Sequence, residues 1–224
     1  MRYTLGWLAA LTGAALVLAA PPLQAVPLAE ARIFIELHHT DQDVGAHVFL
    51  DGPPWAFIEI FDPGGSKLAR VKASGSMGVI GLSELFFEGE EPSLEDVPLE
   101  EFLALFPEGK YRFRGQTVDG MPLTGAHTFT HDIPDGPVIL TPSEGEVVDP
   151  DNVVISWQTV TSPPGIDIVG YQVIVGSFQI TLSETATSIA VPAGFLEPGS
   201  HELEVLAIEV SGNQTISSSS FVTE

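Results

Sequence analysis

At 224 residues the chain has room for one large domain or two ordinary ones, and its 44% hydrophobic content excludes general disorder. Thirty Asp and Glu against 8 Lys and Arg leave a net charge of −22. Charge of that sign repels phosphate backbones and anionic lipid, so nucleic acid and anionic membrane surfaces are excluded as partners.

Residues 1–25 have a secretory layout. Arg2 supplies a positive start, Leu5 to Ala20 an apolar run, Pro21 and Pro22 a break, and Leu23-Gln-Ala25 a small-residue cleavage site. The 16-residue run is shorter than the ~20 residues of a spanning helix. Export to the periplasm or the extracellular space is the expectation. With no cysteine, stability outside the cytoplasm rests on packed cores without disulfides.

Residues 26–136 carry 19 Asp and Glu and 7 Lys and Arg. Their first part alternates as strands do: 32–38, 46–50, 56–61 and 67–72, the last two joined by Asp62-Pro-Gly-Gly65. Pro63 presets φ and the glycines accept positive φ, so that joint reads as a hairpin turn. No Lys-Ser/Thr follows and no helix opens there, which sets aside a phosphate loop. Leu99, Phe102, Leu103 and Phe106 then fall at helical spacing behind Pro98, predicting one short helix over 98–106 with its aromatics inward. Strands return at 111–118 and 123–131, flanking Asp119-Gly120, a hairpin signal. The joint Ile133-Pro-Asp-Gly-Pro137 is too short and proline-rich for a free tether, and predicts two sandwiches end to end in a restricted orientation.

Residues 137–224 hold 11 Asp and Glu and no Lys or Arg. Carboxylates there meet only like charge, which aids solubility at a cost in self-repulsion that salt screens. Val153-Val-Ile-Ser-Trp157, Gly170-Tyr-Gln-Val-Ile-Val175, Leu196-Glu-Pro-Gly199 and the run from Glu204 to Thr215 are short β runs punctuated by Pro and Gly. This series resembles the fibronectin type III module over roughly 137–223. The resemblance implies that Trp157, Tyr171 and Leu196 are core residues of a β-sandwich. His201 stands where the module has a corner Tyr, in a turn read as one residue shorter. An internal echo links the halves: Pro107 to Tyr111 with Phe113 parallels Pro198 to His201 with Leu203. The fold class expected is therefore all-β, two tandem immunoglobulin-like sandwiches divided as 26–136 and 137–224, the first carrying the helix.

Candidate chemistry is sparse. No Gly-x-Ser-x-Gly elbow occurs and there is no thiol, so the chain reads as non-enzymatic, with a small hydrolase of unrecognised site as one alternative. No cofactor is called for. His38, His39, Asp41 and Asp43, with His47 nearby, are the metal candidates, set against a polar turn because the calcium-loop ligand series is incomplete. Trp55 is the candidate for stacking on a sugar ring, the other alternative function, set against a strand Trp packed in the core. Asn213-Gln-Thr215 has the form of a glycosylation sequon. The function expected is binding or spacing through protein–protein contacts outside the cytoplasm.

Overall fold

A computed structural model describes residues 24–224; the segment 1–25 expected to be secretory lies outside them except for Gln24 and Ala25. One 19-residue strand organises what surrounds it. After β1 (Val26–Pro27) and β2 (Glu30–His38), β3 runs from Asp43 to Phe61 without interruption. Two strands were expected there. The register shifts between Asp51 and Trp55, at Gly52-Pro53-Pro54, so β3 bends and belongs to two layers. Its first half pairs antiparallel with β2 and with β5 (Leu82–Glu88). Its second half pairs with β4 (Lys67–Lys72) and β6 (Gly109–Thr117), and β7 (Pro122–Phe129) adds beyond β6.

Alternation decides the inner faces. Val44, Ala46, Val48 and Leu50 with Ile33 and Ile35 face Ile58, Ile60, Tyr111, Phe113, Leu123 and Phe129 across one core. Trp55, at the bend, is fully buried within it. The helix α1 (Gly75–Ile80) follows β4, and α2 (Leu99–Leu105) opens after Pro98 as its spacing predicts. Phe102 is buried, and Leu99, Leu103 and Phe106 pack on the same core. The turn predicted at 62–65 forms, with Gly65 at φ +91 and the Asp62 carboxylate accepting from the Ser66 amide at 2.7 Å. The second hairpin turns at Gly120, φ +88.

A second core gathers Ile155, Trp157, Tyr171, Val173, Leu203, Val205 and Phe221. On one side lie β8 (Ile139–Thr141), β10 (Val154–Trp157) and β13 (Ser188–Ala190), a three-stranded sheet. On the other lie β11 (Ile168–Val175), β12 (Phe178–Ser183), β14 (Gly199–Glu209) and β15 (Gln214–Thr223), with β9 (Glu146–Val148) on the flank of β15. The Trp157 and Tyr171 rings touch at 5.5 Å between centroids, and the Tyr171 hydroxyl accepts from the Val160 amide. The architecture is all-β and sandwich-like in both halves.

The two sandwiches meet through the ends of two strands. β15 pairs in parallel with β2, placing Gln214, Thr215 and Ile216 opposite Glu36, Leu37 and His38. One sheet therefore runs β1-β7-β6-β3-β2-β15-β14-β11-β12 through both cores. Hydrogen bonds between the strand ends restrict hinging, and the pairing covers three residues of each strand edge. The short proline-rich joint predicts a restricted orientation; the three-residue pairing that ties the halves is long-range and has no local signal.

Candidate functional site

The four predicted metal ligands sit where β2 turns into β3. His38 Nε2 lies 3.4 Å from Asp41 Oδ2, and His38 Nδ1 accepts from the Asp41 amide at 3.1 Å. Asp41 thus engages both ring nitrogens. Asp43 lies opposite His38 at the start of β3, and exposed His39 packs toward the joint. A Cβ on Gly136 would stand 2.5 Å from the His39 ring and 2.6 Å from Ser217 Oγ, so this glycine allows the halves to close. The four residues do not share one coordination point. Among the described residues, the group of three or more donors converging within 4.8 Å is Glu36, His47 and Glu91.

That group lies on the outer face of β2 and β3. His47 points away from the core, yet it is almost fully buried because Phe34 and Phe86 flank its ring at 5.2 and 5.6 Å. Nε2 is 3.3 Å from Glu91 Oε1 and 3.8 Å from Glu36 Oε1; Nδ1 is 4.0 Å from Glu88 Oε2. Burial raises the Glu36 carboxyl above its usual range, against the opposing pull of His47 and of the Gln214 amide, which donates to it from β15. The sequence reading placed His47 near the site but missed its partners. Glu36 and Glu91 are 55 positions apart, and only sheet pairing brings them together.

The joint itself is held by Asn213, which the sequence offered only as a sequon. It is 1% exposed. Its Oδ1 accepts from the Ile35 amide at 2.8 Å, while Nδ2 donates to the carbonyls of Thr130 and Asp132, each at 3.0 Å. Thr215, also buried, donates to the Pro134 carbonyl at 2.6 Å. A glycan on Asn213 is incompatible with this packing. Beside the joint, a 410 Å³ groove is lined by His38, Asp41, Glu144, Glu202, Glu204 and the serines 218–220. Glu144 accepts from Ser219 and Ser220, chiefly the Ser220 hydroxyl, which holds its carboxyl below the usual range.

The two halves of the chain share a corner geometry. His201 Nε2 lies 3.0 Å from the Glu197 carbonyl, and the Tyr111 hydroxyl donates to the Pro107 carbonyl at 3.1 Å. Both rings reach back four residues, and each follows a positive-φ glycine by two, Gly199 and Gly109. Measured from those glycines the two corners of this chain are equal in length. Trp157, Tyr171 and Leu196 are buried and His201 is half-buried. Trp55 is inaccessible, which removes it as a sugar-stacking platform.

Opposite in character to the rest of the surface is the outer face of β4, β3 and β6. The register sets Lys72, Phe57 and Gln116 in one row, Arg70, Glu59 and Arg114 in the next, and Lys67, Phe61 and Arg112 in a third. Arg70 covers the Phe57 ring at 4.3 Å and Arg114 the Phe61 ring at 5.4 Å. With Lys110 these strands carry six of the eight Lys and Arg in the chain. Glu59 is the only carboxylate those strands place on the face. It meets Lys67 at 2.6 Å and Arg70 at 3.0 Å, and the Lys67 hydrogen bond, first among its neighbours, lowers its pKa.

No protein-family model and no curated protein sequence matches the chain. Several solved structures are similar to it. The N-terminal Ig1-2 module of the Drosophila receptor protein tyrosine phosphatase DLAR is 14% identical, over 88% of this chain and 97% of that one, with a TM-score of 0.44. The fibronectin(III)-like modules of CbhA from Clostridium thermocellum are 10% identical, over 88% and 93%, with a TM-score of 0.35. The spore cortex lytic enzyme SleM of Clostridium perfringens is 17% identical over 40% of this chain, with a TM-score of 0.31, and the match spans 27% of that enzyme's length. Among the described residues no helix is long and apolar enough to cross a membrane.

Proposed function

We propose that this chain is a non-enzymatic, exported binding protein that presents a rigid pair of β-sandwiches, divided as 26–136 and 137–224, to an acidic protein partner outside the cytoplasm. The second sandwich is read as fibronectin type III-like. The observation that carries the binding reading is the cationic face of β4, β3 and β6 on a chain of net charge −22. Six like charges on one small face cost self-repulsion, and an acidic partner relieves it while steering association. Guanidinium groups lying over Phe57 and Phe61 cover the ring faces a sugar would need, which favours a carboxylate-bearing protein surface over a glycan. The pinned joint fixes the orientation of this face relative to the second sandwich, as a spacer requires.

The test is capture of partners from extracytoplasmic extract by residues 26–224, compared with the charge-reversal variant Lys67→Glu, Arg70→Glu, Arg114→Glu. A partner eluted by moderate salt and lost from the variant supports the reading. Equal retention by the variant overturns it. Polysaccharide retained by the parent chain moves the assignment to a carbohydrate-binding module.

A further inference from the structure

We propose that Glu36, His47 and Glu91 form a binding site for one divalent transition-metal ion of the zinc class. The donor spacing fits. A tetrahedral ion with bonds of ~2.0–2.2 Å keeps its ligand atoms ~3.3 Å apart. His47 Nε2 stands 3.3 Å from Glu91 Oε1 and 3.8 Å from Glu36 Oε1. Three protein donors leave the fourth position to water, and Glu91, on the loop after β5, is the half-exposed ligand through which an ion enters.

Charge calls for such an ion. Glu36, Glu88 and Glu91 surround one imidazole, and among the described residues His47 is the basic group within 4.0 Å of each. Three carboxyl groups around one imidazole set an excess of acidic over basic groups in a site walled by Phe34 and Phe86. A dication removes that excess.

The surrounding shell points the same way. His47 Nδ1 is buried and has no hydrogen-bond partner. Metal-bound histidines use one nitrogen on the ion and donate the other N–H to a carboxylate; Glu88 Oε2, 4.0 Å from Nδ1, is placed for that role. Gln214 fixes the other Glu36 oxygen. Gly45 lies opposite Glu36 and two residues before His47, and a Cβ there would stand 2.6 Å from Glu91 Oε1 and 3.1 Å from His47 Nε2. Glycine therefore keeps the space between the donors open. One nitrogen with two carboxylates suits zinc better than calcium or magnesium, which take six or more oxygens. Because Glu36 is opposite Gln214 in the β2–β15 pairing, a bound ion ties the 89–92 loop to the joint.

The experiment is calorimetric titration of chelator-stripped residues 26–224 with zinc chloride, with calcium and magnesium chloride as comparisons, followed by thermal melts and by cobalt(II) absorption. One zinc per chain, a raised melting temperature and tetrahedral cobalt bands are expected. Glu91→Gln should weaken zinc by roughly tenfold or more. His47→Gln should abolish site binding, and His38→Gln should leave it unchanged. Glu91 is in a loop, so its variant should melt as the parent does without metal, which separates ligand loss from misfolding. Absence of zinc heat and thermal shift overturns the site, as does zinc binding unaltered by Glu91→Gln and His47→Gln or lost with His38→Gln.

Discussion

Replacing Asn213 by Ala should uncouple the two halves. The side chain satisfies the Ile35 amide and the carbonyls of Thr130 and Asp132 with bonds of 2.8, 3.0 and 3.0 Å. Each is worth ~1 kcal/mol net, and an amide left unpaired in the interior costs ~1 kcal/mol or more in addition. Asp132 is exposed, so water can replace the lost donor there; Ile35 is fully buried, and its N–H cannot be served that way. The sum is about 3–4 kcal/mol, equivalent to a melting point lower by about 10 °C for a chain of this size. Guanidinium unfolding provides the assay because Trp55 lies in one core and Trp157 in the other. In the parent, fluorescence of Trp157→Phe and Trp55→Phe variants should report coincident transitions relative to their own far-UV signals. With Asn213→Ala the transitions should separate, and the first-half midpoint should fall. Coincident transitions with a loss below ~1 kcal/mol would refute the assignment of Asn213 as the clamp, since one ordinary hydrogen bond accounts for that much. Asn213→Asp should not rescue: it keeps the acceptor for Ile35 and sets a carboxylate against two carbonyls.

Tyr111 is buried and its pKa is pushed up to about 12, mainly by burial and then by the charge of Asp62. The native state therefore retains a proton that the unfolded chain releases near 10, so stability should fall as pH climbs from 10 through about 12, and Tyr111→Phe should lessen that slope in alkaline melts. His127 is shifted the other way, chiefly by burial and further by Arg32, against the opposing contact of its Nε2 with the Ser211 carbonyl at 3.0 Å. The unfolded chain takes up the proton more readily, so stability should decline as pH drops below 6.5; His127→Gln should flatten that acid slope in urea titrations. Eleven carboxylates without a Lys or Arg in residues 137–224 repel one another, so added sodium chloride should raise the melting temperature of the chain. A flat salt response would remove self-repulsion as a factor in its stability.

Local chemistry is written along the chain, and what depends on it was legible there. Pro98 and the spacing of Leu99, Phe102, Leu103 and Phe106 specify α2, because a helix closes its own hydrogen bonds within one segment. Asp62 to Gly65 and Asp119-Gly120 specify their hairpins, because positive φ at glycine is a property of a single residue. Alternation marks the inner faces, and the resemblance to the fibronectin type III module implies Trp157 and Tyr171 as core positions, where their rings touch. The absence of cysteine and the confinement of every Lys and Arg to the first 114 residues are likewise facts of sequence.

What required tertiary structure is whatever depends on pairs far apart in the chain. β2 and β15 are each an ordinary alternating strand, and no residue in either announces that they pair across 178 positions. That pairing turns Asn213 from a sequon into a buried clamp. It also brings Gln214 to Glu36. Bending β3 at Pro53-Pro54 hides Trp55 and exposes the row of Phe57, Glu59 and Phe61, over which the cations of two other strands converge. His47 falls on a face that alternation assigns to solvent; Phe34, Phe86 and the 89–92 loop bury it. Register and long-range closure set distances between side chains, and a one-dimensional pattern contains the candidates for those contacts without choosing among them.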